Sequence, residues 1–187
     1  MPKLTVEQTS DLDRLFGAFR VEVSVRFEAS PERVWDLVTD ISRIGEFSLE
    51  AVGAEWVHGA TGPAVGACFV GQNKVGDLEW SRVCMVVASE RPRMFAYVVG
   101  DRFDGSRTGR WSYELTSDGD GTIVRQCFEH EATGRSGVRL RAERDPARAG
   151  EIVSARTKYL EENMAITLEA MRAVLETPTR VVPEVSA

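Results

Sequence analysis

The stretch VEVSVRFEASPERVWDLVTD, Val21 to Asp40, decides the fold, because two different periodicities meet inside it. Val21, Val23, Val25 and Phe27 alternate with Glu22, Ser24, Arg26 and Glu28, the period of two that marks a strand with one buried face. From Ser30 the period lengthens. Ser30 suits an N-cap, Pro31 suits the first helical position, and Val34, Trp35, Leu37 and Val38 form one apolar side, so a helix is predicted that stops near Asp40. A second short helix is predicted over ISRIGEFS, where Ile41, Ile44 and Phe47 recur at helical spacing and Gly45 weakens the pattern.

Downstream, the chain turns to strands. AVGAEWVHG, GACFVGQN, LEWSRVCMVVASE, RMFAYVVGD, GRWSYELTS and TIVRQCFEHEA are each rich in β-branched or aromatic residues, and short turn-forming segments separate them. Links this short favour antiparallel neighbours, since a parallel crossover needs about a dozen residues. A basic, glycine-bearing loop around ATGRSGVRLRAERDP follows, with Arg135, Arg139, Arg141 and Arg144 in it. Then Val153, Leu160, Met164, Leu168, Met171 and Leu175 space out an amphipathic helix from about Ala147 to Glu176, roughly 42 Å long at 1.5 Å per residue. Residues 1–19 form an N-terminal extension, with a short helix predicted around Asp11 to Phe19 that docks on the domain spanning 20–176. Residues 177–187, beginning at Thr177 and Pro178, read as a loose tail.

The composition narrows the classes. With 187 residues and 43% hydrophobic content the chain suits one domain, large enough to bury about 70% of its unfolded surface. Its 23 basic and 29 acidic residues leave a net charge of −6, which attracts neither phosphate backbones nor anionic lipid, so no nucleic acid partner is expected. No run reaches the eighteen or so apolar residues of a membrane span, and MPKLTVEQTSDLDRLF lacks the apolar core of a signal peptide. A cytoplasmic protein without stable membrane insertion is expected. Cys68, Cys84 and Cys127 have neither zinc-site spacing nor an even count and read as buried thiols; no metal is expected.

The order strand, two short helices, six strands, one long helix describes an α+β chain with a seven-stranded curved antiparallel sheet around the C-terminal helix. The residues that carry a resemblance are FEASPERVWDLVTD (27–40), GPAVGACFVGQNKVGDLEW (62–80) with Cys84 beyond it, RWSYEL (110–115) and NMAITLEAMRAVLE (163–176). In this order they resemble the helix-grip fold of the START/Bet v 1-like (SRPBCC) superfamily, and within it the polyketide cyclase/dehydrase-like group of small bacterial proteins. The resemblance implies a hollow between sheet and helix that admits a hydrophobic small molecule, such as a lipid, polyketide, quinone or hormone. It implies no cofactor. A carrier or sensor is the first reading; a cyclase or dehydratase using general acid–base groups in the same cavity is the alternative, since fold does not choose between them. Monomer and homodimer both stay open.

Gly71-x-Asn73-x-x-Gly76 has the look of a phosphate loop, but a strand follows it where such a loop needs a helix N-terminus. A hairpin bend is predicted, with Asn73 first and Gly76 fourth in a type I turn. The Asn73 amide either closes that turn or, sharing parity with Phe69, faces the hollow near its rim. Trp80, Tyr97, Trp111 and Tyr113 fall on successive strands, and Phe69, Asn73, Trp80, Tyr97 and Trp111 are the ligand-binding candidates they suggest. Asn163 and Thr167 join them from a stripe of the long helix that begins at Tyr159; relatives of the family often carry a small residue at the position of Asn163. Arg82 shares parity with Trp80 and Cys84, and a guanidinium facing inward requires a carboxylate partner or an anionic ligand. For acid–base chemistry the cast is Tyr97, Asp101, His130 and Arg82, with His130 expected exposed at a strand end and His58 solvated. No spacing fixes a role for any of them.

Overall fold

A computed structural model describes residues 4–176 of the protein. The elements are α1 (Val6–Gly17), β1 (Arg20–Phe27), α2 (Pro31–Thr39), a 3-10 segment (Ile41–Glu46), β2 (Ala51–Val57), β3 (Cys68–Val75), β4 (Leu78–Glu90), β5 (Met94–Gly100), β6 (Gly109–Asp118), β7 (Gly121–His130), α3 (Gly137–Arg144), a short 3-10 turn (Pro146–Arg148) and α4 (Ala149–Glu176). The seven strands form one antiparallel sheet in the order β1-β7-β6-β5-β4-β3-β2. β1 pairs with the last strand while α2 and the 3-10 segment carry the chain to the opposite edge, leaving β2 and β1 as the two edges.

Pairing fixes one inward face across the whole sheet, because directly opposed residues in a ladder point the same way. Phe69 opposes Cys84, Cys84 opposes Val99, Tyr97 opposes Trp111, Tyr113 opposes Gln126, and Gln126 opposes Val23. α2 and α4 cover this face. Phe27, Val34, Trp35, Phe95, Tyr113, Leu115, Val124, Leu168 and Met171 form the larger buried core, while Leu12, Phe16, Phe19, Val21, Val153, Leu160 and Met164 form a second core under α1.

Four local features differ from expectation. α1 starts at Val6, five residues earlier than predicted and not at Asp11, because Thr5 and Gln8 make a reciprocal capping box: the Gln8 N–H donates to the Thr5 hydroxyl at 3.1 Å and the Thr5 N–H to Gln8 Oε1 at 2.9 Å. The segment after α2 is 3-10, and the glycine that weakened its helical pattern has a packing reason: a side chain at Gly45 would run into the Val52 carbonyl of β2. The basic segment after β7 contains α3, capped by Ser136, whose hydroxyl accepts from the Arg139 N–H at 3.2 Å. The β3–β4 turn is not the predicted type I bend. β3 continues past Asn73 to Val75, which opposes Leu78, so only Gly76 and Asp77 form the bend. Gly76 alone has positive φ, +59°, the pattern of a II′ hairpin turn.

Candidate functional site

The inward face and the helices do not close completely. A cavity of about 90 Å³ remains toward the β2 edge. Phe69, Gly71 and Asn73 of β3, Phe95 and Tyr97 of β5 and Tyr113 of β6 make its floor; Ala51, Gly53 and Ala54 of β2 make one wall; Val38, Asp40, Ile41 and Ile44 make the roof, and Met171 of α4 closes the end. A larger groove of about 420 Å³ lies between α1 and the start of α4, lined by Gln8, Asp11, Leu15 and Pro146 among others, but it is an open surface cleft apart from the hollow.

The aromatic floor is built by cross-strand packing. Phe69 meets Trp56 edge-on at 5.4 Å and Tyr97 edge-on at 5.0 Å, and Phe95 lies 5.7 Å from Tyr97. Gly71 leaves its place empty, since a side chain there would meet nothing within 4 Å. The Tyr97 hydroxyl has no hydrogen-bond partner among the described residues. Burial, with Tyr113 and Cys84 nearby, pushes the Tyr97 phenol well above its ordinary pKa; burial likewise pushes Tyr113 up, and Cys84 up to about 12. All three therefore stay protonated near neutral pH.

Of the residues singled out in the sequence, Phe69, Asn73 and Tyr97 line the cavity. Asn73 does not close the bend; its amide only approaches the Gly71 carbonyl at 3.5 Å while facing the hollow. Trp80 opposes Asn73 nearer the hairpin end and is outside the lining. Trp111 shares the inward face but packs on Phe128 at 4.9 Å over the second core. Asn163 and Thr167 are buried away from the cavity. Asn163 Oδ1 accepts from the Leu49 N–H at 3.2 Å and from the Ser48 hydroxyl at 3.5 Å, and Thr167 donates to the Asn163 carbonyl at 2.8 Å. Asn163 thereby fastens α4 to the segment leading into β2, while the Thr167 bond stays within α4. Arg82 pairs with Asp101 at 3.1 Å, which supplies the carboxylate partner and leaves neither group in the lining.

His130 corrects an expectation. It is 6% exposed rather than solvated, wedged among Phe16, Phe19 and Phe128 in the second core. Nδ1 lies 2.7 Å from the Glu131 carbonyl and Nε2 lies 2.7 Å from the Ser136 hydroxyl. This suits a neutral imidazole that donates from Nδ1 and accepts at Nε2. Arg139, expected in a solvated loop, is also buried; it pairs with Asp13 at 2.6 Å and Glu143 at 3.0 Å and lies over the Phe16 ring.

Phe95, Gly71, Ile44 and Met171, which line the cavity, and Gln126 behind Tyr113 carry no site expectation from the sequence. Parity with Tyr97 and Trp111 was the available signal for Phe95, Tyr113 and Gln126, because the ladder aligns them on one face. Nothing local marks Ile44 or Met171 as lining residues.

A curved seven-stranded antiparallel sheet gripping a long C-terminal helix, with a hollow between them, defines the helix-grip class. The sequence profile of the family described as polyketide cyclase / dehydrase and lipid transport matches residues 18–176, and the protein belongs to that family. A polyketide cyclase-like protein of Corynebacterium glutamicum is 27% identical, with 84% of this chain and 91% of that one covered at a TM-score of 0.61. A Thermus thermophilus protein shares the fold at 17% identity, 85% and 99% coverage and a TM-score of 0.63. DynU16, from the dynemicin biosynthetic locus, shares it at 18% identity over 85% of this chain and 48% of its own, with a TM-score of 0.53. No curated protein matches the sequence. No helix among the described residues is long and apolar enough to cross a membrane.

Proposed function

We propose that the protein binds a hydrophobic small molecule in the hollow, as a carrier or sensor. The observation that carries this reading is the Tyr97 hydroxyl, without a partner among the described residues, in a chamber walled mainly by apolar groups such as Phe69, Phe95, Ile41, Ile44 and Met171. Tyr97 is half-buried and its hydroxyl is open to the chamber, and small-molecule sites pair apolar walls with a few orienting polar groups in this way. At about 90 Å³ the chamber is far below the 300–1,000 Å³ of sites for drug-sized ligands, so the occupant is ring-sized, or it parts the roof of Ile41–Glu46 and β2.

The enzymatic reading needs a base at the ligand. His130 lies in the other core, the tyrosines hold their protons, and Asp40, the only carboxylate in the lining, is exposed at its rim and already accepts from the Ser42 hydroxyl at 2.5 Å. Binding without turnover is therefore the better supported use of the hollow. Native mass spectrometry of the purified full-length protein, followed by thermal-shift titration with small aromatic and short-chain lipid probes, tests the reading. Retention of an apolar ligand or saturable stabilisation is expected. No retained ligand and no shift across the probes would overturn it.

A further inference from the structure

The polar groups of the hollow narrow the chemistry of its occupant, and this inference rests on the binding reading above. Tyr97 and Tyr113 stand on adjacent strands and both line the cavity. Tyr113 opposes Phe95 and Tyr97 opposes Trp111, so the two phenols are diagonal neighbours on one face, within reach of aromatic side chains.

Behind Tyr113 lies an unbalanced pair. Gln126 Nε2 donates to the Tyr113 phenolic oxygen at 2.8 Å in a fully buried contact. The bond uses Tyr113 as an acceptor and leaves its O–H proton without a partner among the described residues; Gln126 Oε1 is buried and also without one. Turning the amide over lets Tyr113 donate to Oε1, but the two amide N–H groups then lack acceptors. The first arrangement leaves the Tyr113 O–H proton for a ligand acceptor, and the half-buried Tyr97 O–H, open to the hollow, adds a second donor. Asp40, the only charged residue in the lining, disfavours an anion there.

We propose that the ligand is a neutral, ring-sized apolar molecule bearing a carbonyl, whose oxygen accepts hydrogen bonds from the Tyr97 and Tyr113 hydroxyls, with Gln126 as the positioning residue that orients Tyr113. Burial keeps both phenols protonated, so they act as donors and take no proton from the ligand.

The test compares acetophenone with ethylbenzene, which have similar shape and differ in the carbonyl, by NMR titration of the full chain. Acetophenone is expected to bind about tenfold more tightly, and Tyr97→Phe and Tyr113→Phe are each expected to erase about fivefold of that preference while the ethylbenzene affinity holds. The infrared C=O stretch of bound acetophenone should lie below its value in hexane, move back up in both variants, and move part of the way in Gln126→Leu. Equal affinity for the two probes with an unshifted C=O stretch overturns the donor pair and leaves the binding reading intact. Binding of neither probe overturns both. Should Tyr113→Phe fold poorly, Tyr97→Phe and the wild-type infrared shift decide.

Discussion

Gly71 makes part of the cavity by having no side chain, and its strand position carries no positive φ that would forbid one. Gly71→Val should therefore fill the hollow and lower ligand affinity at least about tenfold, while the strand gains about 0.5–1 kcal/mol from losing a glycine; titration and a thermal melt on the same sample check both halves. His130 makes a different prediction. Burial, with the Arg139 cation beside it, holds its pKa below the ordinary 6.5 against a smaller opposing effect of the Glu131 carbonyl. The unfolded chain takes up this proton first, so the stability contribution is full above about 6.5 and is lost as the pH falls through the lower folded value. Asp13 and Glu143, which pair with Arg139, and Glu131 beside the ring are the same in wild type and variant, so the comparison isolates the imidazole. The melting temperature is thus expected to fall less between about pH 7.5 and about pH 5 in His130→Gln than in wild type. At this scale aromatics on successive strands pointed to Tyr97 and parity with Phe69 to Asn73, both in the lining, whereas the expectation of an exposed strand-end His130 fails because what buries it is α1, more than a hundred residues earlier in the chain.

The roof of the hollow is a 3-10 segment followed by an edge strand. Among the described residues, two side-chain attachments tie its far end to α4: the Asn163 amide on Ser48 and Leu49, and the Arg156 guanidinium on both Glu50 oxygens at 2.7 Å. Asn163→Ala should cost about 1–2 kcal/mol and speed amide exchange across residues 41–57 more than elsewhere, measurable by hydrogen–deuterium exchange. Gly45→Ala should do the same from the other side, through the clash with Val52. Elements whose pattern is local are legible: β1 in its alternation, the other strands in their β-branched and aromatic content between turns, and α2 in its apolar side. α3 was hidden, since Arg139 looks solvated until Asp13 of α1 is placed beside it. The β3–β4 bend departs from expectation because one glycine fits either the fourth place of a type I turn or the first central place of a II′ turn, and only the register of Val75 with Leu78 separates them.

Across the whole molecule the two cores divide the labour. The core under α1 has Phe16 at 0% exposure with Arg139 and His130 packed on it, whereas the core under α2 borders the hollow. Phe16→Ala should cost about 3–5 kcal/mol by chemical denaturation and leave ligand affinity in the surviving folded protein unchanged; a parallel loss of affinity would mean that the cores are coupled. Fold order was legible from the chain alone because it follows from the sequence of periodicities. The enclosed space was not, since it depends on where Ile44 and Met171 arrive once α4 lies across the sheet. The empty place at Gly71 carries an evolutionary consequence. Its codon is one base from alanine and from valine, so a lineage can abolish binding in a single step and still inherit a stable, correctly folded descendant. Shape and melting behaviour would then persist long after the ligand had been given up, and the residue at position 71 would be the place to read which relatives still hold one.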